Sequence, residues 1–349
     1  MTISSISTAS LTSVLSQSVG TLQQQLANAE LELSTGQDAD AGLTLGVTAG
    51  QSISLQQQQS YLQTLTTTNN TASTRLSTTQ NVLGTMQSTA QDFLDSLIEN
   101  NGITTTASAL QTSATTNLQS MIAGLNTQLG GSYIFAGTNT SNAPITDYFA
   151  QNAPNAAAVT SAITAGFPGG ISNATGADMT SFLDNQFSSL FTGDWSTTSG
   201  TGSDWSSASD TTLTSQVSTS DKENTSVSAN QTAFRQLAEA YTMVSSMAGQ
   251  NLTSDAYQAV VTKAQALVSS AISGLTDIQS TVGVAQAAIT SSNNQMSAQM
   301  TIFTTQIDNL DGADAYDAAT RVNNLQTQIE TAFSLTNQLK QLSLVNYIS

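Results

Sequence analysis

Apolar residues recur along most of the chain at alternating steps of three and four, the spacing by which an α-helix lays one stripe against a neighbouring helix. Leu15, Val19, Leu22, Leu26, Ala29 and Leu33 form the first such stripe. A longer one runs Leu62, Leu65, Asn69, Ala72, Leu76, Thr79, Leu83, Met86, Ala90, Phe93, Leu97, with only Asn69 and Thr79 polar. The pattern predicts helical rods and not strands. Phe234, Leu237, Tyr241, Val244 and Ala248 continue the spacing, and Asn251 to Asp255 then breaks it with polar residues suited to capping a helix. A third seam opens with Tyr257, Val260, Ala264, Leu267 and Ala271 and loosens at Gly274. It resumes as Ile278, Val282, Ala285, Ile289, Ser292, Met296, Met300, Phe303, Ile307 and Leu310. Helical throughout, this rod would span roughly 80 Å at ~1.5 Å per residue. Gly312 is placed to stop it and Asp314 to cap the last helix, with Asp317 three residues on. That helix carries Val322, Leu325, Ile329, Ala332, Leu335, Leu339 and Leu342.

The helix breakers are confined to the middle. The three prolines are Pro144, Pro154 and Pro168, and the two tryptophans, Trp195 and Trp205, lie just beyond them. Proline in a helix interior costs ~3 kcal/mol, so the flanks can hold long helices while the centre is built otherwise. Between Phe135 and Phe191 fall six of the ten phenylalanines, and no Lys or Arg occurs between Arg75 and Lys222. Short aromatic or β-branched patches such as Tyr133-Ile134-Phe135, separated by Gly, Asn, Ser and Thr, predict a small β-containing insert with its own aromatic core.

Composition narrows the chemistry. The 349 residues include no His and no Cys, which removes Ser-His-Asp and Cys-His nucleophilic machinery, imidazole and thiolate metal sites and disulfides. Charged residues make up 8%, and the net charge of −17 repels both phosphate backbones and anionic bilayers, so neither nucleic acid nor membrane is an expected partner. The opening MTISSISTAS lacks the basic start and apolar stretch of a secretory leader, so no cleaved leader is expected. Carboxylates remain as possible catalysts. Asp92, Asp95 and Glu99 share a helix face, which reads as the solvated side of the Phe93 and Leu97 stripe rather than as an acid–base site. Asp308, Asp311, Asp314 and Asp317 miss the spacing of a calcium loop and read as helix stop and cap. No catalytic residue, cofactor or metal is expected. Asn69 either fixes the register of partner helices or marks a stretch of seam that faces water. The aromatics of the insert read as core rather than ligand pocket, and Trp195 and Trp205 have no companion cation nearby in sequence.

The stripes at the two ends carry the most specific implication. Each is too isolated to bury itself, and leaving both in water forfeits on the order of 15 kcal/mol. They pair with each other, pair with neighbouring copies, or stay frayed until partners arrive. A chain whose first and last helices form one seam is built to polymerise or to dock into a polymer. Leu15, Val19, Leu22, Leu26, Leu33, Leu325, Ile329, Leu335, Leu339 and Leu342 are the candidate assembly interface.

Two terminal segments carry a family resemblance. The closing stretch YDAATRVNNLQTQIETAFSLTNQLKQLSLVNYI, residues 316–348, resembles the C-terminal domain of the flagellin superfamily, and LELSTG, residues 31–36, is similar to the turn after that family's first helix. Two internal stretches point within the superfamily. GSYIFAGTNTSNAP, residues 131–144, resembles the segment after the first long helix in the hook–filament junction branch, and residues 203–230 are similar to the alphaproteobacterial form of that branch. The first ten residues lack the asparagine-rich opening of filament flagellins, and Gln37 stands where they often have Arg.

The resemblance implies a mainly α fold: long antiparallel helical rods from both chain ends, a flagellin-like coiled-coil core, and a small β-containing inserted domain. The expected divisions are a terminal-helix segment at 1–45, a rod at 46–130, the outer insert at 131–222, the returning rod at 223–310 and the last helix at 311–349. It further implies a structural, extracellular role in the bacterial flagellum after export through the type III channel. The implied partners are the first hook-associated protein, flagellin, an export chaperone and copies of the chain itself in a ring-like layer. A filament-forming flagellin is the alternative within the family. A secreted carboxylate hydrolase or an adhesin carried by the insert is the alternative outside it.

Overall fold

The computed structural model describes residues 8–40, 46–101, 104–193, 195 and 204–348. The chain divides into two compact units, Leu65–Asn294 and the combination of Met1–Thr64 with Gln295–Ser349. Its main helices are α1 (Thr8–Thr35), α2 (Ala49–Glu99), α3 (Ala107–Leu125), α4 (Pro154–Gly166), α5 (Gly176–Phe182), α6 (Ser188–Thr192), α7 (Thr232–Met247), α8 (Ser254–Asp311) and α9 (Ala315–Ile348). The architecture is mainly α with two small antiparallel ladders, as the periodicity requires.

In the terminal unit, α1 packs against α9, and the opening turns of α2 and the closing turns of α8 complete it. The other unit is built around α7. Sequence spacing marks one stripe on this helix, yet the buried set includes Ala233, Ala238, Glu239, Ala240, Thr242 and Met243 as well as Phe234, Leu237, Tyr241 and Val244. A helix buried on nearly every side is the centre of a core rather than its edge. Phe93 of α2 meets Tyr241 edge to face at 5.2 Å between ring centroids. The stripe from Leu62 to Leu97 is buried at every position named above, Asn69 and Thr79 included. On α8 the seam shifts by one residue: Val268 and Leu275 are buried, while Leu267 is only partly so. Gly274 does not loosen the rod. A Cβ there would sit 3.0 Å from Ala233 Cβ, so the glycine marks where α8 passes close to α7.

The central stretch is more helical than its patches predict. Pro154 opens α4, where its missing N–H costs nothing. Thr175 and Asp178 make reciprocal side-chain-to-backbone bonds that start α5. A π-helical turn, Leu183–Phe187, joins α5 to α6. The strands are short. β1 (Gln128–Leu129) pairs with β2 (Ser132–Tyr133) across Gly130 and Gly131, whose φ values of 58° and 80° form the two-residue turn that only glycine adopts without strain. β3 (Thr214–Gln216) pairs with β4 (Lys222–Asn224) in the register Ser215↔Glu223. Nor does the insert keep a core to itself: Phe135, Phe182, Phe187, Phe191, Trp195 and Trp205 belong to one continuous apolar cluster with α2, α3, α7 and α8. Six aromatics in so polar a segment need a surface to cover, and α7 supplies it, with Phe135 and Phe234 at 5.9 Å.

Candidate functional site

The chain ends meet at a hydrogen-bonded pair of turns. After α1 the chain reverses at Gly36, whose φ of +69° suits glycine. Gly36 O accepts from Ala313 N at 3.0 Å, Asp38 N donates to Asp311 O at 2.9 Å, and Gln37 and Gly312 form an antiparallel bridge between them. Gly312 N donates to Asp308 O at 2.9 Å as α8 ends, and a Cβ there would fall 2.2 Å from that oxygen, so the close approach calls for glycine. Asp314 Oδ1 then accepts from Tyr316 N at 2.8 Å, capping α9 as its position predicts. Glu32 is buried and takes an ion pair from Arg321, and its Oε1 also accepts from Ala39 N at 3.5 Å. The end of α1 therefore lies beside the start of α9, and the two helices run antiparallel.

Along this pair Leu15, Val19, Leu22 and Leu26 are half-buried and Ala29 is fully buried. On α9 Ala318 and Ala332 are buried and Val322, Leu325 and Ile329 are half-buried between them. Two seam assignments need correction. Leu33 is 42% exposed and Leu335 47% exposed, because the seam slips by one residue at each place, to Glu32 and to Thr336. At the first place Glu32 lies inside because it pairs with Arg321 and accepts from Ala39 N. The side chains of Leu339 and Leu342 lie outside the described residues. Val14, Leu31, Tyr316 and Phe333 are exposed as well, so the pair covers one set of apolar positions and leaves another facing solvent.

The two internal stretches singled out by resemblance are brought together into one hydrogen-bonded body. Ser209 N donates to Ala136 O at 3.0 Å, Thr138 N to Thr211 O at 3.0 Å, Ser207 N to Pro144 O at 3.0 Å and Ala229 N to Phe135 O at 2.7 Å. Side chains add to this: Asn139 Nδ2 donates to Ser207 O at 2.7 Å, and Ser206 Oγ donates to Pro144 O at 3.0 Å. Gly137, at φ +61°, stands where a Cβ would lie 2.3 Å from Ser209 O.

The three carboxylates on the α2 face lie at the surface. Asp92, Asp95 and Glu99 are exposed, with Asp95 Oδ1 accepting from Gln91 Nε2 at 3.1 Å. Among the described residues no three acidic side chains gather in a way that could hold a metal ion. Asn69 is resolved as a register pin: its Nδ2 donates to Val217 O and to Asn293 Oδ1, each at 2.8 Å, which ties α2 to α8 and to the loop between β3 and β4. Trp195 does have a companion cation. The Arg235 guanidinium lies 5.0 Å from its ring centroid and donates to Gly193 O at 3.1 Å and Asn230 O at 3.0 Å. A separation of forty positions along the chain hid that pairing from local sequence reading. Glu239 and the Glu32–Arg321 pair were missed for the same reason.

Comparison with known families places both ends of the chain. Residues 6–140 match the bacterial flagellin N-terminal helical region, and residues 265–348 match the bacterial flagellin C-terminal helical region. The chain belongs to the flagellin superfamily. The two matched regions contain the whole α1–α9 pair, the clasped turns between them, all of α2 and most of α8. This flagellin-family chain is accordingly a structural component of the bacterial flagellum. No curated protein and no solved structure matched it. Among the described residues no helix is long and apolar enough to cross a membrane.

Proposed function

We propose that this flagellin-family chain is a hook–filament junction protein, seated on the first hook-associated protein and followed outward by flagellin, with copies of itself alongside in one layer. The observation that carries the reading is that residues 131–144 and 203–230, which resemble the junction branch, form a single body joined by backbone and side-chain hydrogen bonds. That the two segments fold against each other supports reading them together as one module. In the terminal unit, Leu15, Val19, Leu22, Leu26, Leu325 and Ile329 hold the antiparallel pair, and Leu33 and Leu335 face outward, positioned to meet a neighbouring subunit. Assembly would then remove from water the apolar surface that the lone pair leaves exposed.

Deleting the gene and viewing the cells by electron microscopy tests the reading. Hooks without filaments are the expected result, and an intact flagellum overturns it. Filament flagellin is the competing identity, and long tubes grown from purified chain alone would establish it instead. Leu33→Asp separates assembly from folding. It is expected to leave monomer helicity unchanged while abolishing incorporation at the hook tip, whereas Leu22→Asp also frays α1 and α9, seen as a loss of ellipticity at 222 nm. Normal filaments from Leu33→Asp would remove that residue from the interface.

A further inference from the structure

An open cleft of about 380 Å³ lies where α3, α4 and the end of α7 meet the turn at Tyr148 and Phe149. Its volume is in the small-molecule range. Among the described residues none of its lining side chains is an acid or a base of ordinary pH. Burial holds the Tyr148 phenol above its usual range, so that group stays neutral as well. The polar groups are half-buried or exposed, within reach of an occupant. Thr115, Thr160 and Thr164 each spend the hydroxyl hydrogen on the carbonyl four residues back, at 2.8, 2.9 and 2.9 Å, and keep oxygen lone pairs free. Tyr148 Oη and Ser246 Oγ lie 3.3 Å apart, and whichever gives its proton to the other, one hydroxyl is left to donate outward. Gln250, exposed just past α7, adds an amide that can both donate and accept.

Phe149 stands at the rim, 39% exposed, yet it is fixed from behind. Its N–H donates to Asp147 Oδ1 at 2.9 Å, its ring meets Tyr148 at 5.3 Å and 79°, and Tyr148 in turn stacks on the buried Trp205 at 5.4 Å and 12°. A ring already ordered in water loses little entropy when something is laid on it. We propose that this cleft binds a short neutral saccharide, with the C–H face of one sugar ring against Phe149 and its hydroxyls on the threonine oxygens, the Tyr148–Ser246 pair and the Gln250 amide. A wall with more acceptors than donors suits a ligand rich in O–H groups. An anion finds no cation in this lining and an ammonium no carboxylate, since Asp147 lies outside it and already takes the Phe149 N–H. A plain hydrocarbon strips water from the hydroxyls without replacing it. The inference does not rest on the flagellar role, and its test is independent of that role.

Saturation-transfer NMR on the full chain tests the site, with methyl β-D-glucopyranoside, methyl β-D-galactopyranoside, methyl α-D-mannopyranoside, cellobiose and lactose as probes. At least one is expected to bind saturably with a Kd of about 10 mM or tighter, while cyclohexanol and sodium glucuronate bind far more weakly. Phe149→Ala is expected to weaken that binding at least tenfold, and Phe149→Tyr, which keeps a ring, to leave it within about twofold. Saturable binding by none of the probes, equal binding of cyclohexanol, or unchanged affinity in Phe149→Ala overturns the proposal. If Phe149→Ala fails to fold, Thr160→Val decides, because it keeps the side-chain shape on the exposed face of α4 and loses the acceptor: severalfold weaker binding is expected, and unchanged binding overturns the site.

Discussion

Glu239 shows how one buried carboxyl makes stability depend on pH. Its native value of about 7 lies above the ordinary 4.5, so the folded state holds the proton more tightly than the unfolded chain does. Its contribution is fully present below pH 4.5 and is lost as pH rises through about 7. Urea unfolding of the wild type between pH 5 and pH 8 is expected to lose about 2 kcal/mol from this group, a dependence that Glu239→Gln removes. Gly137 makes a purely steric case. Its left-handed backbone and the carbonyls of Ser209 and Thr211 leave no room for a methyl group, so Gly137→Ala is expected to cost about 2–4 kcal/mol in denaturant unfolding. Neither residue stands out in the sequence. Glu239 sits inside an ordinary helical stripe, and the groups that set its proton affinity, Asp184, Ser188 and Lys263, come from three other elements.

At the scale of elements, periodicity marked out the rods, because a three-four repeat is a direct image of helix geometry, and it turned the face of α2 correctly while missing by one residue on α8. The stripe on α2 is buried from Leu62 to Leu97 without exception. Its polar members are explained by structure alone: Thr79 Oγ1 donates back to Arg75 O at 3.0 Å, and Asn69 bridges to Asn293 and Val217. Whether Asn69 pinned a register or faced water was open in the sequence, since its partners lie far along the chain. A double-mutant cycle of Asn69→Ala and Asn293→Ala is expected to give a coupling energy of at least ~0.5 kcal/mol, with Asn69→Ala alone costing about 1–3 kcal/mol through the stranded Val217 carbonyl. The centre holds strands as its aromatic patches predict, and α4, α5 and α6 form there as well, with α6 packed on α7. The slip at Leu33 has its own origin, since Glu32 is drawn inside by Arg321, a partner almost three hundred residues away.

At the scale of the molecule, charge is sparse and one-sided. The ion pairs Lys263–Asp184 and Arg321–Glu32 are set against a net charge of −17. Screening over ~8 Å at physiological ionic strength then relieves more repulsion than attraction. The melting temperature is expected to rise between low salt and 0.15 M sodium chloride, as read by circular dichroism, and a fall would mean that the two pairs outweigh the repulsion. The overall plan of helix, insert and returning helix was legible from where the prolines fall. That the two ends lock together through Gln37 and Gly312 was not, because a single bridge between turns leaves no periodic trace. This clasp has a consequence for biosynthesis. Ribosomes deliver ~5–20 residues per second, so α1 waits roughly tens of seconds for its mate to be translated. A premature stop codon anywhere upstream of Gly312 yields a product whose first helix stays solitary, and such shortened polypeptides are the ones to clump or be degraded in the cell.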